Sequence, residues 1–177
     1  MEIQFSPFFA LPILILYLII ALLTPWGKRH SIERHFLHMA FILYLMAVIA
    51  LTFFPIPLDR SGSSYNISRN SWIPFQSTWI LLRYAKPMVA FTQIIGNLSL
   101  FLPFGLMLPL LHPKWNRLLR IFLLSFGVAF SIELLQFAVT LFAQTNYRSF
   151  DVDDIGMNVI GALIGALLYR GIRKRVI

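Results

Sequence analysis

The 177-residue chain contains no cysteine. Disulfide cross-links, thiolate metal sites and cysteine nucleophiles are therefore excluded. Charge is scarce as well: 12% of residues are Asp, Glu, Lys or Arg, against 58% hydrophobic. A soluble domain of this size would carry more apolar surface than one core could hide, so the composition describes a membrane protein. Acids are the scarcest charges, seven beside fifteen Lys and Arg, for a formal net charge of +8. The basic residues fall in short clusters between apolar runs, without the aromatic interleaving of a strand-binding surface, which argues against nucleic acid as a partner. Anionic headgroups and membrane topology account for them. The N-terminal run starts near Glu2, has no basic region, and has no small-residue cleavage motif before Lys28. It reads as a retained span and not as a removed signal peptide.

What the chain has in quantity is long apolar runs. Crossing about 30 Å of hydrocarbon takes about 20 helical residues. Runs near that length lie at Phe5–Leu23, Phe36–Phe54, Phe91–Leu111 and Ile121–Phe142, with a shorter one at Ile155–Tyr169. Lipid offers no partner to backbone groups, so each is expected to be helical. No internal repeat is visible. The expected architecture is all-α: one polytopic domain over 1–177, a bundle of five transmembrane helices.

Charge orients the bundle. With the N-terminus outside, Lys28, Arg29, Arg34, Lys114, Arg117, Arg120, Arg170, Arg173, Lys174 and Arg175 lie inside, ten basic residues against five outside. That bias predicts an extracytoplasmic N-terminus and a cytoplasmic C-terminus. The longest connection, Pro55 to Ala90, is then outside. Its first half is polar and includes Asn66-Ile67-Ser68, a glycosylation acceptor pattern that is common by chance. Its second half mixes Trp72, Phe75, Trp79 and Ile80 with Arg83 and Lys86. That mixture predicts an interfacial or re-entrant segment near 72–86.

Polar residues inside the spans are costly and therefore informative. An intramembrane carboxylate costs about 2.5–3.5 kcal/mol on insertion scales. Glu133 is such a group, and Gln136, Thr140 and Gln144 share its helix face. By helical rise, Glu133 falls roughly 13 Å below the outer surface, Asn97 about 9 Å and Asn158 about 5 Å. Three helices thus bring polar groups to the outer half of the membrane, as a cavity would require. Interhelical hydrogen bonding explains the same residues without a function. Pro103 and Pro109 predict a third helix kinked or broken near Phe101–Gly105. Gly161 and Gly165 form a GxxxG face suited to close helix packing or to a homo-oligomer.

Asp151, Asp153 and Asp154 precede the last apolar run. Asp151 or Asp153 suits an N-cap there, with Arg148 as ion-pair partner. The same carboxylates are candidate ligands for a divalent cation, or candidates for acid–base chemistry. The four histidines, His30, His35, His38 and His112, are all predicted on the cytoplasmic side, so no Ser-His-Asp constellation forms. No cofactor is predicted.

Three motifs in order carry a family resemblance: Asn97-Leu-Ser-Leu-Phe101-Leu-Pro103-Phe104-Gly105, then Glu133-Leu-Leu-Gln136, then Asp151-x-x-Asp154-x-x-x-Asn158-x-x-Gly161-x-x-x-Gly165. Over about residues 72–165 the chain resembles the VanZ-like membrane proteins, whose namesake is associated with resistance to the lipoglycopeptide teicoplanin. It departs where the family places an Asn-containing stretch before a Pro-Phe pair: Pro74-Phe75 is present, but Asn70 stands one place early. The resemblance implies a bacterial cytoplasmic-membrane protein. The leading expectation is binding of a lipid-linked envelope precursor or lipoglycopeptide at the outer leaflet. Asn97, Glu133, Gln136, Arg148, Asp151, Asp154 and Asn158 would form that site. Two rivals stay open: an intramembrane enzyme with Glu133 or Asp154 as acid or base, and a proton-coupled transporter using Glu133.

Overall fold

A computed structural model describes residues 2–57, 70–143 and 148–176. The acceptor pattern at Asn66 and the stripe residue Gln144 lie outside the described residues. Helices dominate, and the chain divides into two compact units, 2–56 and 57–177.

In the first unit a 3-10 turn at Pro7–Phe9 leads into α1 (Ala10–Leu23), followed by α2 (Pro25–Lys28) and α3 (Ile32–Phe53). Ser31 starts α3 by accepting a hydrogen bond from the Arg34 amide at 3.4 Å, and Glu33 lies in the first turn where the helix dipole favours an acid. The Tyr17 hydroxyl bonds His35 Nδ1 at 2.8 Å, while His35 Nε2 lies 3.0 Å from the Gly27 carbonyl oxygen. A carbonyl only accepts, so Nε2 carries the proton and Nδ1 receives the one from Tyr17. That bond ties α1 to α3.

The second unit holds α4 (Gln76–Tyr84), α5 (Pro87–Leu111), α6 (Leu118–Ala143) and α7 (Val152–Val176). Helix α7 packs along α5 and against α6, and α4 meets the start of α7. Small residues make this contact possible. A Cβ on Gly161 would collide with the Leu98 carbonyl, one on Gly165 with the Leu102 carbonyl, and one on Gly105 with the carbonyl of Ala162. The Gly161/Gly165 face is thus covered by α5 of the same chain. Phe101, Phe104, Ile155, Val159, Ala162 and Ala166 are buried in the same unit, while Leu119, Leu123, Phe126, Phe130 and Leu134 of α6 are exposed. Apolar residues around the whole circumference suit helices immersed in lipid. At the far end the Arg170 guanidinium bonds Asn116, Nε to Oδ1 at 3.1 Å, joining α7 to the α5–α6 connection.

Among the described residues four helices are long and apolar enough to cross a membrane: Ile32–Phe53, Pro87–Leu111, Leu118–Phe142 and Val152–Arg173. The chain is a multi-pass helical membrane protein. Length departs from expectation at both ends. The run expected as the first span is the shorter apolar segment Pro7–Leu23, and the run expected to be short is the 25-residue α7. Helix α7 extends because Asp153 and Asp154 suit its first turn and the basic residues after Tyr169 suit its last, so polarity does not end it. Of the kink or break expected near Phe101–Gly105, the break does not occur: α5 is one helix from Pro87 to Leu111, with Pro103 and Pro109 inside it. The short α4 falls within the predicted 72–86 segment.

The close α5–α7 contact generates a test. Gly165→Ala should lower the unfolding midpoint in detergent, with an overpacking cost of about 1–3 kcal/mol. Gly156→Ala, where an added Cβ meets nothing within 4 Å, should leave the midpoint unchanged or raise it. Equal midpoints for the two variants would refute the close contact.

Candidate functional site

The polar groups gather where α7 begins. Asp151 caps α7, its Oδ1 accepting the Asp153 amide at 2.9 Å. The Asp151 amide in turn donates to Glu133 Oε2 at 3.0 Å. A strand-like splice holds this corner in place: the Ser71 amide donates to the Phe150 carbonyl at 2.9 Å and the Val152 amide to the Ser71 carbonyl at 3.2 Å. The Phe150 amide donates to Asn70 Oδ1 at 3.0 Å, and Trp72 stacks on Phe150 at 4.7 Å between ring centroids. On α6, the Thr140 hydroxyl donates to the Arg148 carbonyl at 2.9 Å and accepts from its amide at 3.1 Å.

Asp153 has a different partner from the one expected. It was a candidate cap for its own helix, but its carboxylate caps α4 instead. It accepts the Phe75 amide at 2.5 Å, the Thr78 amide at 2.9 Å, the Thr78 hydroxyl at 2.8 Å and the Ser77 hydroxyl at 2.7 Å. Helix α4 needs this because Phe75, at its N-cap position, has no capping side chain. Phe75 also sits in the left-handed region at φ 67, which costs a bulky residue about 1–3 kcal/mol and persists only where surrounding bonds impose it. The Ser77 hydroxyl lies 2.9 Å from Asp151 Oδ1 too, so its one proton serves both acids. Burial raises the Asp151 carboxyl above the ordinary carboxylate range, with the Ser77 bond pulling the other way.

The remaining expected residues cluster below this corner. Asn97 of α5 donates its side-chain amide to Asp154 Oδ1. Glu133 is 4% exposed and faces the charges of Asp154, Asp151 and Arg148. Gln136 and Thr140 are buried along the same helix. Asn158, one turn past Asp154, is 3% exposed, and its Oδ1 has no hydrogen-bond partner among the described residues; the same is true of the buried Ser71 hydroxyl oxygen. Arg148 is exposed at the corner. Among the described residues no three His, Asp or Glu side chains are gathered as metal ligands. The metal candidates Asp151, Asp153 and Asp154 direct their carboxylates to Ser77, Thr78, Asn97 and backbone amides.

Beside these acids lies a cleft of about 490 Å³, within the size range of small-molecule sites. Its polar lining comes from Asn70, Ser71, Gln76, Ser77, Gln93 and Ser149, with Asp151 at one wall. Sequence reasoning did not single out Ser77, Thr78, Gln76 or Gln93. One signal was available: a helix starting at Gln76 after Phe75 lacks a Ser, Thr, Asp or Asn cap, so its orphan amides require an acceptor from elsewhere.

The fold and the site define a multi-pass helical membrane protein with a polar, carboxylate-supported cleft at one end of its long helices. A family model described as VanZ/LLP1 matches residues 41–174, and the chain belongs to that family. No curated protein and no solved structure matches it.

The Asp153 bonds yield a measurable consequence. Asp153→Asn keeps one acceptor oxygen and introduces an amide that faces donors, so it should free the start of α4 at a cost of about 1–3 kcal/mol. Hydrogen exchange at the Phe75 and Thr78 amides should accelerate while exchange in the middle of α5 holds. Unchanged protection at both amides would mean that Asp153 does not hold α4.

Proposed function

We propose that this VanZ/LLP1 protein binds the sugar-bearing head of a lipid-linked envelope precursor, or of an acylated glycopeptide, at the outer leaflet of the bacterial cytoplasmic membrane. In this reading the Arg148–Asp151 corner and α4 lie at the extracytoplasmic surface. Trp72, Trp79, Arg83 and Lys86, all exposed, contact headgroups, and sequestering the head lowers drug access. The observation that carries the reading is the cleft in which amides and hydroxyls of Asn70, Gln76, Ser77, Gln93 and Ser149 stand beside apolar side chains, with Asp151 as its one acid.

Hydroxyl-rich sugars are recognised by neutral donors and acceptors of this type, set beside apolar side chains such as Ile80 and Leu81. The acids support binding over acid–base chemistry. Asp151 and Asp153 spend their oxygens on Ser77, Thr78 and backbone amides, and Asp154 and Glu133 are bonded to Asn97 and the Asp151 amide. In this role they shape the cleft, and Asn97, Asn158 and Gln136 support them from below.

The test is co-purification. Lipid-linked precursor, or added acylated glycopeptide, retained by the protein from solubilised membranes is quantified by mass spectrometry for the wild type and for Gln76→Leu/Gln93→Leu. Two lost hydrogen bonds of about 1 kcal/mol each predict roughly tenfold or greater loss of retention. Equal retention of both ligand types by the two proteins overturns the reading. A reporter fusion at the C-terminus tests the orientation: because α7 runs from the cleft corner across the membrane, a cytoplasmic C-terminus is expected, and an extracytoplasmic one places the cleft on the wrong side.

A further inference from the structure

A second cavity opens beside the polar cleft. It measures about 300 Å³, and its lining side chains, among them Leu82, Pro87, Ala90, Phe91, Ile94 and Ile95, are apolar. Ala85 lines both cavities. Leu81 and Gln93 face the polar cleft, while their neighbours Leu82 and Ile94 face the apolar groove. The end of α4 and the first turns of α5 therefore form one wall with a polar side and an apolar side.

Positive charge flanks the residues of that wall in sequence. Arg83 and Lys86 are exposed. Lys86 is the residue between Ala85, shared by both cavities, and Pro87, in the groove, and it occupies the N-cap of the 25-residue α5. The positive end of the α5 dipole adds to it. The acid at the cleft, Asp151, is engaged by Ser77 and by the Asp153 amide. Ser71, more than nine-tenths buried at the cleft, keeps a hydroxyl oxygen without a partner among the described residues.

We infer that the two cavities take one anionic amphiphile, a sugar-phosphate lipid. Its sugar lies in the polar cleft, its phosphate beside Arg83 and Lys86, and its hydrocarbon chain in the apolar groove. The inference rests on the head-binding reading above and selects within it. A phosphate meets opposite charge at the junction and suits a guanidinium fork, whereas a cationic amino sugar meets like charge. Continuity through Ala85 makes a single ligand the natural occupant, because head and chain leave the same point in opposite directions.

The experiment compares three probes on the full chain in nanodiscs of uncharged lipid: dodecyl-phosphate-linked N-acetylglucosamine, neutral dodecyl glucoside and N-acetylglucosamine 1-phosphate. The first should bind tightest and the other two at least about tenfold more weakly, the worth of one charge-assisted contact or of the chain's burial. Ile94→Trp, which fills the groove, should reduce the amphiphile to the affinity of the chainless sugar phosphate. Ile95→Ser, at a partly exposed position, should weaken it in the same order. Arg83→Gln with Lys86→Gln should erase the margin over the neutral glucoside. If the chainless sugar phosphate binds as tightly as the amphiphile, or neither groove variant changes affinity, the inference is overturned while head binding stands. If the neutral glucoside binds as tightly as the phosphate lipid, the anionic assignment is overturned. If no probe binds, both the inference and the head-binding reading fall.

Discussion

The carboxylate of Asp153 is the constraint on which the rest of the polar end depends. It lies in the first turn of α7, yet it gathers two backbone amides and two hydroxyls from the start of α4. A buried carboxylate is tolerated only when donors replace the water it has lost, and here the donors come from a helix that lacks its own cap. Each side thus satisfies the other's deficit. The left-handed Phe75 is the local cost of that arrangement, because the chain must turn its amide toward Asp153 before α4 can start.

Where Asp153 sits is decided by the packing of α5 on α7. Leu98 meets Gly161 and Leu102 meets Gly165, so residue numbers rise together and the two helices run parallel. Parallel alignment brings Asn97 and Asp154 to the same end, and the hydrogen bond between them follows from the register. An added side chain at either glycine would separate the helices or shift them along each other, and every polar partner at this end would move with α7. The same register puts Asn116 beside Arg170 at the opposite end, and His112, at the end of α5, is about fifteen residues or roughly 22 Å of helix away from Asn97. The single histidine of this unit is remote from the acids.

Some of this could be read in the sequence and some could not, for separable reasons. Helical rise is nearly constant, so counting residues put Asn97, Glu133 and Asn158 toward the same end of their helices without knowledge of packing. Capping is a local rule, so Asp151 at the start of α7 was within reach. The partner of Asp153 was not, since 75 residues separate it from Thr78 and no local rule links them. Asn70 was visible only as a displaced family residue, yet it receives the Phe150 amide because the 70–72 stretch lies along 150–152. The lengths of α1 and α7 were misjudged because apolar character was taken as the limit of a helix, whereas caps and terminal charges set the ends of α7. The unbroken α5 shows that a proline removes one bond from a long helix without ending it when neighbours pack along its length.

The division of labour between charged and neutral groups bears on what the cleft can select. Of the acids only Asp151 lines the cleft, and both it and Asp153 accept bonds from the Ser77 hydroxyl, with Thr78 adding further donors to Asp153. Hydroxyls and amides make up the rest of its polar lining, and the exposed Arg83 and Lys86 flank its residues in sequence. Neutral groups discriminate by geometry, and exposed cations act over a Debye length and weaken with salt. Recognition in such a site depends on shape within the cleft and on charge at its edge. Removing an acid would therefore affect binding chiefly by letting α4 move, because the wall shared by both cavities is fixed to α7 through Asp153.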